Sequence, residues 1–224
     1  MRRLLLICLL LTLTACGGTP PTTAPSQPGP SQTESPQAFR VYGSGTTAVV
    51  LSNMGDNDRT PWDGFAPVLA ARGYTVLTYR YREPLRTAVE DLQAAIAFVK
   101  SRGATKLALV GASLGGMATA KVAGAAGAAA VVLMACPLAI QENDFRITDQ
   151  ELAALPGPTL VIASERDGIV PFAATRAVYD KAPEPKEFAS FPSDAHGVKL
   201  FATEHGQALQ QRLVDFLTPL RPAG

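Results

Sequence analysis

The sequence predicts a three-layer α/β domain, a mostly parallel sheet with helices on both faces. Two observations carry that prediction. Short apolar, β-branched runs recur along the chain, each continuous rather than alternating, which suits strands buried on both faces of a parallel sheet. Segments with helical spacing fill the gaps, and such alternation builds right-handed βαβ units.

The elements follow in chain order. "FRVYG" (39–43) reads as an edge strand and "TAVVLS" (47–52) as the first buried one. Thr60 is placed to cap a helix opening at Pro61, with Trp62, Phe65, Ala66 and Leu69 on one face and Gly73 past its end. "YTVLTY" (74–79) is the next strand. Leu85, Val89, Leu92, Ile96 and Val99 then form an apolar stripe closed by Gly103. "KLALVG" (106–111) leads into an alanine-rich helix that can lie close against a sheet. "AVVLMA" (130–135), "TLVIAS" (159–164) and the weaker "EFASF" (187–191) supply the remaining strands. Leu209, Leu213 and Phe216 mark the last helix. Between Ala135 and Thr159 the chain has room for a loop and one brief helix, with Thr148 and Glu151 at capping-box spacing. No cap domain is expected there.

Two N-terminal segments stand apart. "MRRLLLICLLLTLTAC" has two arginines, a short leucine-rich run and small residues, the layout of a secretory signal and too short for a comfortable membrane span. Its ending "LTAC" resembles the lipobox of bacterial lipoproteins. That resemblance makes residues 1–15 a signal peptide and Cys16 the lipid attachment site. It places the protein in a bacterial cell envelope, lipid-anchored on the extracytoplasmic side of a membrane. An ordinary signal peptide with an incidental cysteine is the plainer alternative. Residues 16–37, dominated by Pro, Ser, Thr and Gln, read as a disordered tether. The folded domain is expected over residues 38–224.

The chain of 224 residues is long enough for one substantial core. Its net charge of +1 gives no case for a nucleic-acid partner. With Cys8 removed and Cys16 acylated, Cys136 has no partner, so the domain needs no disulfide. Cys136 itself reads as a small buried hydrophobe.

Ligands of parallel sheets bind at the carboxyl ends of the strands, so the residues after each run matter most. "GASLG" (111–115) matches G-x-S-x-G, with a strand before it and a helix after. Side chains at the flanking glycines would clash in the sharp turn this pattern requires. The pentapeptide alone arises by chance in roughly one such chain in ten, so the context decides. A serine needs a base. Of the two histidines, His196 follows the last strand, and His205 reads as a surface residue. Asp167 lies in the loop after "TLVIAS", suited to orient that base. Asp144, after the preceding strand, is the rival acid. Glu165 and Asp194 read as solvated loop charges.

The order Ser113, Asp167, His196 and the motifs "GASLGG", "ERDGIVP" and "DAHG" resemble the α/β-hydrolase family over about residues 39–217. The uncapped layout looks most like its dienelactone hydrolase and small serine esterase branch. The resemblance implies Ser113 as nucleophile, His196 as base and Asp167 as acid, with no metal or organic cofactor. It implies oxyanion donors at the N–H of Leu114 and in the loop after "TAVVLS". That loop departs from the family's His-Gly, having Asn53 and Met54 in those places. Met54 is assigned as the first donor, with Gly55 the alternative. The expected activity is cleavage of carboxylic esters, thioesters or lactones through an acyl-enzyme. The protein would act as a monomer on a small-molecule ester and meet a membrane only through its N-terminal lipid. A catalytically silent binding lipoprotein on the same fold is the alternative, and a peptidase has no supporting feature.

Overall fold

A computed structural model describes residues 39–140 and 144–221. Cys16, the signal segment and the tether lie outside the described residues. Among the described residues seven strands form one sheet: β1 (Arg40–Tyr42), β2 (Thr47–Ser52), β3 (Thr75–Thr78), β4 (Lys106–Ala112), β5 (Ala130–Met134), β8 (Thr159–Ser164) and β9 (Lys186–Phe191). Their order is β1-β3-β2-β4-β5-β8-β9, with β1 antiparallel to β3 and every other pair parallel. The remaining pair, β6 (Ala139–Ile140) and β7 (Phe145–Arg146), is a small separate hairpin.

The continuous apolar runs are explained by two cores. Alternate residues of each strand point to opposite faces. On β2, Ala48 and Val50 join one core while Val49 and Leu51 join the other. The first core packs under α2 (Pro84–Ser101), α3 (Leu114–Ala126), α4 (Asp149–Ala153) and α5 (Phe172–Lys181). The second packs under α1 (Thr60–Ala70), α6 (Gly206–Leu217) and a 3₁₀ segment, Gly197–Ala202. The outcome is a three-layer α/β-hydrolase fold. Among the described residues of 135–158 the elements are the hairpin and α4, which is opened by the expected capping box. Thr148 Oγ1 accepts from Glu151 N–H (3.2 Å), and Thr148 N–H donates to Glu151 (2.8 Å).

Four local expectations change. Helix α1 starts at Thr60 rather than Pro61, with Arg59 at the N-cap position and the Asp58 carboxylate accepting the Thr60 N–H (2.9 Å) in the turn that leads into it. The stripe of α2 is rotated. Leu85 is 51% exposed, and Ala88, Asp91 and Ala95 face inward. The cause is Asp91, fully buried, which accepts from the Arg82 N–H (2.8 Å), its guanidinium (2.5 Å) and Thr87 Oγ1 (2.6 Å). The β6–β7 hairpin was not anticipated, since two-residue strands leave no periodic signal. His205 is half-buried rather than a surface residue, because its ring packs beside Phe191, 5.9 Å between centroids.

Candidate active site

The chain goes outward from β2 to β3 and then returns to place β4 on the other side of β2. The crevice between the ends of β2 and β4 is therefore the switch point where such sheets bind ligands. Ser113 stands there, between β4 and α3, at φ +51° and ψ −118°. An L-residue keeps that conformation only under constraint. The constraint is visible. The Ser113 N–H donates to Met134 O on β5 (2.8 Å), and its own carbonyl receives the Met117 N–H of α3 (3.0 Å). The flanking glycines are required by contact. A Cβ on Gly111 would lie 2.1 Å from Gly115 O, and one on Gly115 would lie 2.4 Å from Asn53 O. Helix α3 thus begins hard against the end of β2, with the Leu114 N–H at its first turn, where no intrahelical acceptor exists.

Asp167 and His196 are brought together by loops that continue the pairing of β8 with β9. The Glu165 N–H donates to Phe191 O (2.9 Å), the Arg166 N–H to Ser193 O (3.0 Å), and Ser164 Oγ to Ala195 O (2.6 Å). His196 Nδ1 sits 2.8 Å from Asp167 Oδ2, and both residues are buried. The other carboxylate oxygen accepts the N–H groups of Ile169 (2.9 Å) and Val170 (3.0 Å). Burial alone would raise the Asp167 carboxyl. The His196 ring and the two N–H groups outweigh it and hold the carboxyl below its ordinary value. Asp144 is elsewhere. It stands directly before β7, paired with Arg146 and 83% exposed. Glu165 takes a bond from Ser190 at the surface, and Asp194 is exposed.

Gly197 shows how these parts meet. At φ +52°, a Cβ there would fall 3.4 Å from the Ala112 Cβ and 2.7 Å from Met54 Sδ. The histidine loop therefore lies against the residue before Ser113 and against Met54. Among the described residues the Ser113 hydroxyl has no hydrogen-bond partner, so the Ser113–His196 bond is unmade. Such bonds often tighten only when substrate is present. Met54 is buried, and its N–H, like that of Gly55, is used by no hydrogen bond among the described residues. Cys136 is fully buried, and burial pushes its thiol up.

The end of β3 was not read as part of the site. Tyr81 and Asn57 hold the loop that carries Met54. Asn57 has φ +58°, in the left-handed region that asparagine tolerates. The Gly-Asp-Asn-Asp cluster was the one available signal of a tight turn. A cleft of about 600 Å³ among α1, the Gly197–Ala202 segment and α6 is lined by Pro61, Phe65, Val198 and Phe201, with Asp58 and Lys199 among its polar groups, and none of Ser113, Asp167 or His196 lines it. An open groove of about 490 Å³ runs from Gly55 along Arg82–Arg86.

A parallel sheet with a strained serine between its switch-point strand and a helix defines a protein of the α/β-hydrolase fold class. The chain belongs to the alpha/beta hydrolase family, whose model matches residues 43–223. Solved structures agree on the fold. One, from work on the metagenome-derived lipolytic enzymes LipS and LipT, has a TM-score of 0.69 at 17% identity, covering 81% of this chain and 97% of that one. The Est2 esterase of Thermogutta terrifontis, with butyrate bound, gives 0.68 at 18%, covering 83% and 91%. The enol-lactonase of Burkholderia xenovorans LB400 gives 0.67 at 16%, covering 80% and 95%.

Proposed function

We propose that the protein is a serine hydrolase that cleaves carboxylic esters, thioesters or lactones. The observation that carries this reading is the Asp167–His196 pair at 2.8 Å beside a loop that abuts the Ser113 elbow. Ser113 Oγ attacks the carbonyl carbon while His196 Nε2 takes its proton. Asp167 holds the ring by Nδ1 and stabilises the imidazolium. The N–H groups of Leu114 and Met54 receive the oxyanion. Collapse breaks the carbon–oxygen bond, and the imidazolium protonates the departing alcohol. Water then attacks the acyl-enzyme with His196 again as base, releasing the acid and restoring Ser113. The esterase, lipolytic and lactonase activities named for similar structures support the class of reaction. The uncapped layout favours the dienelactone hydrolase and small esterase branch.

The test is covalent. A fluorophosphonate probe labels the parent and fails to label Ser113→Ala, which should keep its fold and lose turnover of p-nitrophenyl butyrate. A folded parent that neither labels nor turns over esters would return the protein to the silent, binding reading. The lipobox resemblance supports a companion proposal: Cys16 is acylated and anchors the domain, by more than one chain, outside the cytoplasm. Cys16→Ser should leave an unlipidated precursor, and a wholly soluble mature parent would overturn the anchor.

A further inference from the structure

Three successive carbonyls, from the last residue of β2 into the loop that follows, each accept a hydrogen bond. Trp62 Nε1 donates to Ser52 O (3.1 Å), the Tyr81 hydroxyl to Asn53 O (2.9 Å), and the Asn57 N–H to Met54 O (3.1 Å). A peptide unit is planar and trans, so fixing its C=O fixes the direction of the next residue's N–H. The Asn53 carbonyl and the Met54 N–H belong to one such unit. We propose that Tyr81 is a positioning residue of the oxyanion hole, aiming the Met54 N–H by holding the carbonyl at the other end of the same peptide. This rests on the serine-hydrolase reading above.

Tyr81 is itself immobilised. Its backbone N–H donates to Asn57 Oδ1 (2.8 Å), and its carbonyl accepts from Asn57 Nδ2 (2.9 Å). Its ring stands edge-on to Tyr79 at 5.3 Å. Burial pushes its hydroxyl well above the ordinary phenol range, so it stays a neutral O–H donor. The same Asn53 carbonyl touches the start of α3, where a Cβ on Gly115 would come within 2.4 Å. One oxygen therefore sets the register of both donors. The Met54 peptide hangs from it, and the helix opening with Leu114 rests on it.

A merely structural hydroxyl would affect stability and leave the chemical step alone. The experiment compares the full-length parent, Tyr81→Phe and Tyr79→Phe. Tyr79 is the control, since its buried hydroxyl bonds Ser52 Oγ and meets the Tyr81 hydroxyl but no loop carbonyl. Three quantities are read below the lowest melting temperature: kcat and KM for p-nitrophenyl butyrate, and the inhibition constant of a trifluoromethyl ketone. That ketone forms a tetrahedral oxyanion on the serine. Removing a whole oxyanion donor costs about 10²–10³ in rate. A misaimed one should cost about tenfold in kcat, with KM little changed and the ketone weakened by the same factor. Tyr79→Phe should show much smaller losses in both. The proposal is overturned if Tyr81→Phe turns over like the parent, if its kcat falls without weakening the ketone, or if Tyr79→Phe loses as much. If Tyr81→Phe does not fold, Tyr81→Met removes the hydroxyl with an adaptable side chain and is read the same way. Fluorophosphonate labelling separates the two levels. A parent that does not label sinks the serine reading, whereas a labelled parent with an unaffected Tyr81→Phe sinks this inference alone.

Discussion

The two halves of the site are built in opposite ways. In the half after β8 and β9 the proposed working atoms belong to side chains, and the backbone supports them. Two backbone N–H groups fix one oxygen of Asp167 so that the other meets His196. In the half after β2 the proposed working atoms are backbone N–H groups, and side chains support them. Trp62 and Tyr81 hold the carbonyls behind. The difference teaches where each half is vulnerable. The first loses its function when the acting residue is replaced. The second keeps its acting atoms through any replacement but proline, so it can be broken only by moving the backbone.

The largest effect should come from the side-chain half. Asp167→Asn keeps the size of the residue but presents a wrong partner to His196 Nδ1. We expect kcat for p-nitrophenyl butyrate to fall about 10⁴-fold with little change in fold. Loss of less than tenfold would mean that another carboxylate orients the ring.

Gly115→Ala is the corresponding break in the backbone half. Its Cβ would meet Asn53 O at 2.4 Å and Ser52 O at 2.5 Å. Both are backbone atoms, so α3 and the loop must separate. We expect a kcat loss of about 10²-fold and a lower melting temperature, although no side chain of the proposed chemistry is touched. Parent-like turnover would show that the end of β2 takes no part in holding the oxyanion.

The same contrast explains what could be read from the sequence. The places of Ser113, Asp167 and His196 after β4, β8 and β9 were legible because the chemistry proposed for them calls for those residue types at strand ends. The backbone half was only half legible. Any residue but proline supplies an N–H, so Met54 and Gly55 look alike in sequence, and Tyr81 looks like the end of a strand. Among the elements, β2, β4, β5 and β8 were clear because both their faces are buried. The stripe of α2 misled because a buried, triply bonded Asp91 turned a polar residue inward. Nothing in a helical period announces such a pairing.

A smaller effect concerns pH. The folded Asp167 carboxyl lies below its ordinary value, so the folded state binds fewer protons than the unfolded chain as the pH falls through the carboxylate range. Stability from Asp167 is full above the unfolded value of about 3.9 and is lost as the pH drops through the folded one. The urea midpoints of the parent and Asp167→Asn should therefore differ at neutral pH and converge toward pH 3. A constant gap would show that the carboxylate's bonds to His196, Ile169 and Val170 contribute no pH-dependent stability.

The smallest effect should lie where the halves meet. Gly197 follows His196 at φ +52°, and a Cβ there would fall 2.7 Å from Met54 Sδ. Two costs follow from Gly197→Ala. Placing an L-residue in the left-handed region costs about 1–2 kcal/mol. The contact with Met54 adds less, because the sulfur is near the end of a flexible side chain and can swing away. A loss of about 1 kcal/mol lowers the melting temperature of a domain this size by about 2–4 °C. The kcat should fall severalfold at most, since the loop moves less than under Gly115→Ala. Met54 makes the two costs separable. Met54→Ala empties the space that the new methyl needs, so the double variant should be more stable than the sum of the single losses predicts. The backbone cost would remain. Strict additivity would mean that Met54 and the histidine loop are not in contact, and that the two halves are joined only through Ala112 and Ser113.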